Sequence, residues 1–95
     1  MNTLSLKYIR EFVKQHPDSN SSLTAWYKIA KKARWRNLAE VRRVYRHADS
    51  VGIYTVFNIR GNHYRLIAEI NYQYQQILIR EILTHEEYDK DKWKS

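Results

Sequence analysis

The sequence predicts an α+β domain, with amino-terminal helices packed on one face of a small antiparallel β-sheet. Three observations carry that reading. Apolar residues recur at helical spacing through the first half of the chain, the runs YTVFNI and HYRLIAEI flank a Gly61-Asn62 turn, and two glycines with one proline leave little material for long loops. The 95 residues make one domain, 1–95, large enough to bury about 65% of its unfolded surface without covalent staples. Within it, residues 1–48 read as mostly helical and basic, 52–84 as sheet and 85–95 as a carboxy-terminal tail.

Leu4, Tyr8, Ile9, Phe12 and Val13 mark a first amphipathic helix that stops before His16-Pro17, since a residue ahead of proline avoids the α region. Asp18-Ser19-Asn20-Ser21-Ser22 is a turn cluster rich in N-cap residues, and Leu23, Trp26, Tyr27, Ile29, Ala30 and Ala33 trace a second helix with Trp26 as core anchor. Asn37-Leu38-Ala39-Glu40 has the spacing of a capping box, in which an N-cap side chain and a glutamate three residues on satisfy each other's backbone N–H. It opens a shorter third helix with Leu38, Val41 and either Val44 or Tyr45 inward. Asp49-Ser50-Val51-Gly52 reads as a turn into the first strand.

With Gly61 and Asn62 as a two-residue loop, Arg60 faces His63, Ile59 faces Tyr64, Asn58 faces Arg65, Phe57 faces Leu66 and Val56 faces Ile67. Strand alternation sends Ile53, Thr55, Phe57, Ile59, Tyr64, Leu66, Ala68 and Ile70 to a core face. Tyr54, Asn58, Arg60, His63, Arg65 and Glu69, with Val56 and Ile67 among them, go to a face that meets solvent or substrate. A third strand, about Ile77 to Leu83, follows a polar turn at Gln73-Tyr74-Gln75-Gln76. A loop of two or four residues pairs Arg80 with Glu69, Thr84 with Arg65, Ile79 with Ile70 and Leu83 with Leu66, leaving Glu81 beside Ala68 on the core face. A loop of odd length turns Arg80 inward.

A net charge of +7 and a pI of about 9.8 point to an anionic partner, nucleic acid first and an acidic protein second. The excess is amino-terminal: residues 1–50 hold eleven Lys/Arg against four Asp/Glu, residues 51–95 six against six. From Lys28 to Arg46 run eight basic residues, Lys28, Lys31, Lys32, Arg34, Arg36, Arg42, Arg43 and Arg46, against the single acid Glu40, a one-sided patch suited to phosphate binding. The absence of cysteine excludes disulfides and thiolate metal sites. No leader pattern and no apolar run of about 18 residues appears, so a cytoplasmic protein is expected, with no membrane role.

The polar sheet face and the tail hold residues suited to RNA cleavage by the strand's own 2′-hydroxyl. That reaction needs a proton taken from the 2′-oxygen and negative charge stabilised on a crowded phosphorus. Arginine's planar fork suits the second task, and Arg65 and Arg80 are the candidates. His85 is the candidate proton carrier, because imidazole ordinarily titrates near neutrality. Tyr88 is placed to orient phosphate or share a proton, and Arg60, His63, Lys90 and Lys92 to add RNA contacts. The blander reading makes both arginines salt-bridge partners of Glu69 and Glu81. His16 and His47 have no ligand-like spacing to other histidines or acids, and His85-Glu86-Glu87 is not the two-histidine zinc pattern, so neither metal nor cofactor is expected.

The run FNIRGNHYRLIAEI followed by IREILTHEEYDKDKW resembles the HigB toxins of type II toxin–antitoxin systems, within the RelE-like superfamily of mRNA-cleaving toxins. The likeness is strongest over residues 52–93, and the helical half agrees in length, in its HP position and in tryptophan placement. It implies a RelE-like fold and a metal-independent endoribonuclease acting on mRNA, commonly at the translating bacterial ribosome. It also implies a HigA-like helix-turn-helix antitoxin that neutralises the toxin and, with it, binds operator DNA. Carried over by position, it assigns Arg65 and Arg80 from the YRLI and IRE strands and His85 and Tyr88 from the THEEYD segment. The chain has Asn58, Arg60 and His63 where some RelE-like members carry a lysine-rich pair, which shifts weight to His85 as proton carrier. The alternative is a non-catalytic basic nucleic-acid-binding module. A DNA-binding repressor built on the second and third helices leaves the strands unexplained.

Overall fold

Among the described residues five strands, β1 (Asn2–Leu4), β2 (Asp49–Val51), β3 (Tyr54–Ile59), β4 (Tyr64–Asn71) and β5 (Gln76–Thr84), form one sheet in the order β1-β5-β4-β3-β2, with β1 parallel to β5 and the other neighbours antiparallel. The structure, a computed structural model, describes residues 1–94; Ser95, the end of the expected tail, lies outside the described residues. Helices α1 (Lys7–Gln15), α2 (Asn20–Lys32) and α3 (Leu38–Val44) cover one face, with a 3-10 turn over Pro17–Ser19 between the first two. Phe12, Leu23, Trp26, Ala30, Trp35 and Val41 from the helical half pack there on Phe57, Ile59, Leu66, Ala68, Ile77, Ile79 and Ile82. Trp26 is wholly buried, edge-on to Phe57 at 5.4 Å between ring centroids, so it anchors the core as expected.

The hairpin of β3 (Tyr54–Ile59) and β4 (Tyr64–Asn71) has the register read from the turn: Val56 with Ile67, Phe57 with Leu66, Asn58 with Arg65 and Ile59 with Tyr64. The turn closes by His63 N–H donating to the Arg60 carbonyl at 3.2 Å, with Arg60 as well as Gly61 at positive φ. Ile53 departs from expectation: it sits in the turn after β2 (Asp49–Val51), beside Gly52 at φ +60°, and is 72% exposed instead of core. Residues 49–51, expected as a turn, pair with β3 as a short edge strand. Leu4, expected in the first helix, lies in β1, whose partner is more than seventy positions away and leaves no local signal.

The second hairpin corrects the expected pairing. Its loop does have four residues, since Asn71 pairs with Gln76, which sets Ile77 opposite Ile70 and Ile79 opposite Ala68. A β-bulge then shifts the ladder by one, so Glu81 faces Ile67, Ile82 faces Leu66, Leu83 faces Arg65 and Thr84 faces Tyr64. Arg80 is the extra residue. The bulge lets Ile77, Ile79 and Ile82 all reach the core while Glu81 stays exposed, which resolves the conflict a regular ladder creates.

Two caps also differ in detail. The Asn37 side chain accepts from the Glu40 N–H at 3.0 Å, but the Glu40 carboxylate reaches one residue further back, to the Arg36 N–H at 2.7 Å and its guanidinium at 2.9 Å. At the far end of α2, the Met1 ammonium group donates to the carbonyls of Ala30, Lys31 and Ala33 at 2.9, 3.1 and 2.7 Å, satisfying acceptors the helix leaves open. Among the described residues no helix is long and apolar enough to cross a membrane.

Candidate active site

The sheet's second face is not bare. Val56, Ile67 and Leu83 form a small buried cluster covered by Val51, Tyr54, Tyr88 and Trp93, so the tail folds back over the end of the sheet. It does so through α4 (His85–Asp89), whose start carries a complete capping box: Thr84 Oγ1 accepts from Glu87 N–H at 3.1 Å, and the Glu87 carboxylate from Thr84 N–H at 2.9 Å. The Tyr88 and Trp93 rings stack with centroids 5.1 Å apart, and the indole N–H donates to the Tyr88 carbonyl.

This packing brings two pairs together. Arg65, only 8% exposed, donates from Nη1 to the carbonyls of Asn62 and Tyr64 at 3.2 and 3.1 Å and from Nη2 to Asn62 Oδ1. Its guanidinium carbon stands 5.4 Å from the Tyr88 ring centroid, a cation–π arrangement across the β4–α4 contact. Burial, seconded by the Asp49 charge, pushes the Tyr88 phenol upward against the opposing pull of Arg65 and Lys94, so it stays a neutral O–H donor near pH 7. The second pair is His85 and Asp89, one helical turn apart, with imidazole Nδ1 2.8 Å from the carboxylate. In the neutral imidazole, a proton on Nδ1 bonded to that carboxylate leaves the Nε2 lone pair as acceptor.

His85 is tied to the hairpin as well, its backbone N–H donating to the His63 carbonyl at 2.9 Å. His63, His85, Asn62, Thr84 and Glu86 line an open depression of about 580 Å³. Asn62 also lines a neighbouring depression of about 680 Å³ with Tyr45, Arg46, His47, Asn58 and Gly61. Asn62, gripped by Arg65, is therefore the ridge between two clefts, one flanked by histidines and the other by Arg46 and His47.

The other expected residues lie further off. Arg80 points at Glu69, Nε to carboxylate 3.7 Å, and is half-exposed; it stands three residues along β5 from the partner of Arg65, roughly 10 Å at the usual rise per residue. Among the described residues no hydrogen bond or ion pair joins it to Arg65, Tyr88 or His85. Arg60 pairs with Asp18 at 3.0 Å, and the same carboxylate accepts from the Tyr64 hydroxyl at 2.6 Å, which pulls the Asp18 pKa below its usual value. Arg42 donates to the Ala48 carbonyl at 2.8 Å, while Lys28 and Arg43 are exposed on their helices. Lys90 and Lys92 border a depression with Glu81 and Glu87 on the other side of α4. Lys31, Lys32, Arg34 and Arg36 line a separate cleft at the opposite end of the sheet. Among the described residues no three His, Asp or Glu side chains are grouped to hold a metal ion.

Asn62 and Asp89 were not singled out from the sequence. For Asp89 a signal exists: Thr84-His85-Glu86-Glu87 has capping-box spacing, which starts a helix and sets His85 and Asp89 at i and i+4 on one face.

A small basic α+β domain with helices on one face of a mostly antiparallel sheet has the architecture of the RelE-like toxins. Residues 19–91 match the family described as "HigB_toxin, RelE-like toxic component of a toxin-antitoxin system", and the chain belongs to that family. It is similar to "mRNA interferase toxin HigB" of Escherichia coli (strain K12), 26% identical over 92 residues that cover 94% of this chain and 88% of the relative. It is equally similar to "mRNA interferase HigB" of Shigella flexneri, and to the protein of that name from Escherichia coli O6:H1, 26% identical over 93 residues, 95% of this chain and 90% of the relative.

Proposed function

We propose that this chain is the toxin of a type II toxin–antitoxin system, a metal-independent endoribonuclease that cleaves mRNA at the ribosome and so stops translation in the bacterial cytoplasm. The observation that carries the reading is the paired arrangement at one end of the sheet, Arg65 with Tyr88 and His85 with Asp89, beside clefts that share Asn62. In the proposed reaction His85 Nε2 takes the 2′-hydroxyl proton, the 2′-oxygen bonds to phosphorus, and the phosphorus–5′-oxygen bond breaks. The departing 5′-oxygen is protonated from solvent, leaving a 2′,3′-cyclic phosphate and a 5′-hydroxyl end. Arg65 and the Tyr88 hydroxyl hold the charge that builds on the phosphoryl oxygens. Arg80 meets a neighbouring phosphate in exchange for Glu69. Lys28, Arg42, Arg43, Arg46, Arg60, His63 and, on the tail, Lys90 and Lys92 add backbone contacts to the strand. The cognate antitoxin is a HigA-like helix-turn-helix protein, which with the toxin binds its own operator DNA.

The test is expression from a tightly controlled promoter, with mapping of transcript 5′ ends and a parallel cleavage assay in chelator. New 5′-hydroxyl ends should appear on translated messages, and Arg65→Ala or His85→Ala should lower cleavage at least about tenfold. Salt-sensitive RNA binding without new ends would instead identify a non-catalytic basic module.

A further inference from the structure

The cleft at the β1 end of the sheet is a second cationic surface, distant from the clefts around Asn62. Lys31, Lys32, Arg34 and Arg36 border a depression of about 680 Å³, together with Asn2 and Gln75. Arg36 is committed to Glu40, but no acidic side chain pairs with Lys31, Lys32 or Arg34 among the described residues. All three side chains are on exposed or solvent-facing positions. The carbonyls that end α2, which would present negative charge here, are covered by the Met1 ammonium group. The cleft is thus uniformly cationic and concave.

Its position decides what it can do. Asn2 pairs with Gln76 at one end of β5, and His85 follows Thr84 at the other, eight residue steps away. At about 3.3 Å per step the two sites stand roughly 26 Å apart. A nucleotide held at Arg65 and His85 cannot touch the cleft, whereas a stacked strand, at about 3.4 Å per nucleotide, reaches it with about eight. We infer that Lys31, Lys32 and Arg34 form an RNA-backbone exosite that holds a strand outside the reacting dinucleotide. This rests on the ribonuclease reading for its choice of RNA over an acidic protein segment, and it makes affinity depend on strand length.

The test separates the two claims by using RNA that cannot be cut. Binding of 2′-O-methylated single strands of about three and about twenty nucleotides is followed by fluorescence anisotropy across salt concentrations. Lys31→Glu, Lys32→Glu and Arg34→Glu combined should weaken binding of the long strand at least about tenfold and reduce its salt slope by about 2, at about 0.7 per phosphate contact on a single strand. A charge-matched control, Lys7→Glu, Arg10→Glu and Lys14→Glu on α1, should change it less than about threefold. Equal loss in both variants, or none in the first, overturns the exosite. So does unchanged RNA affinity with lost affinity for polyglutamate, which would make the cleft a protein site. Failure of Arg65→Ala or His85→Ala to affect cleavage would remove the catalytic reading while leaving these binding results to stand or fall alone.

Discussion

Arg65 is a buried charge whose cost is met by three hydrogen bonds to Asn62 and Tyr64 and by the Tyr88 ring, so in the proposed site it would couple loop shape to phosphate binding. Lysine keeps the charge but lacks the planar fork, so Arg65→Lys should lower cleavage at least about tenfold in initial-rate assays; near-normal activity would show that charge alone suffices. In the proposed mechanism Asp89 would position His85, whose Nδ1 lies 2.8 Å from its carboxylate. Asp89→Ala should reduce kcat by about ten- to a hundredfold with KM little changed, and adding His85→Ala should cost little more if the two act as a unit. A further residue-scale prediction concerns Asp18. Its hydrogen bond from Tyr64, with the Arg60 charge, holds its pKa below the ordinary 3.8. The native state therefore binds this proton less readily than the unfolded chain, so the stabilisation is complete above that pH and is lost as pH falls through and below it. Thermal midpoints of Asp18→Asn should show a shallower decline on acidification than wild type. An identical acid limb would assign the effect to other carboxylates.

At the scale of elements, what could be read in advance followed from local chemistry. The β3–β4 register follows from Gly61 and strict alternation, and α3 from the Asn37 cap. The bulge in β5 was missed, although Arg80-Glu81 is a polar pair that interrupts the alternation of ILIREILT and is the mark of an extra residue. Strands β1 and β2 were missed for a different reason: three residues show no period, and β1 is defined only by its partner across the fold. Likewise, Arg65 and Tyr88 were candidates from the sequence, but their contact depends on how the tail packs, which no local pattern encodes. The element that carries His85 and Tyr88 has just five residues, too short to persist without its cap. Thr84→Ala should cost about 1 kcal/mol in urea unfolding and lower cleavage, with Thr84→Ser largely restoring both.

For the molecule as a whole, the sheet is apolar on both faces, with a large core under α1–α3 and a small one under α4. The two should differ in what they protect. Trp26→Ala, in the large core, should cost about 3–5 kcal/mol in denaturant unfolding. Trp93→Ala, on the small one, should unfold nearer to wild type yet lose cleavage, because the aromatic stack that seats Tyr88 against Arg65 is gone. Charge is also partitioned by the fold. Residues 1–50 hold the excess of lysine and arginine while residues 51–95 are balanced, so the proposed function would place general attraction to RNA and local chemistry on different parts of one small domain.

The additional residue at Arg80 makes this strand's response to a change of length depend on where the change falls. Losing the codon for Arg80 would leave an unbroken ladder, with Ile79 opposite Ala68, Glu81 opposite Ile67 and every downstream side chain on its present face. Losing a codon from the regular ladder beyond it, such as that for Ile82, would either turn over the segment leading into the histidine or drive Glu81 into the core. In-frame deletion of the Arg80 codon should therefore cost far less stability in urea unfolding than deletion of the Ile82 codon.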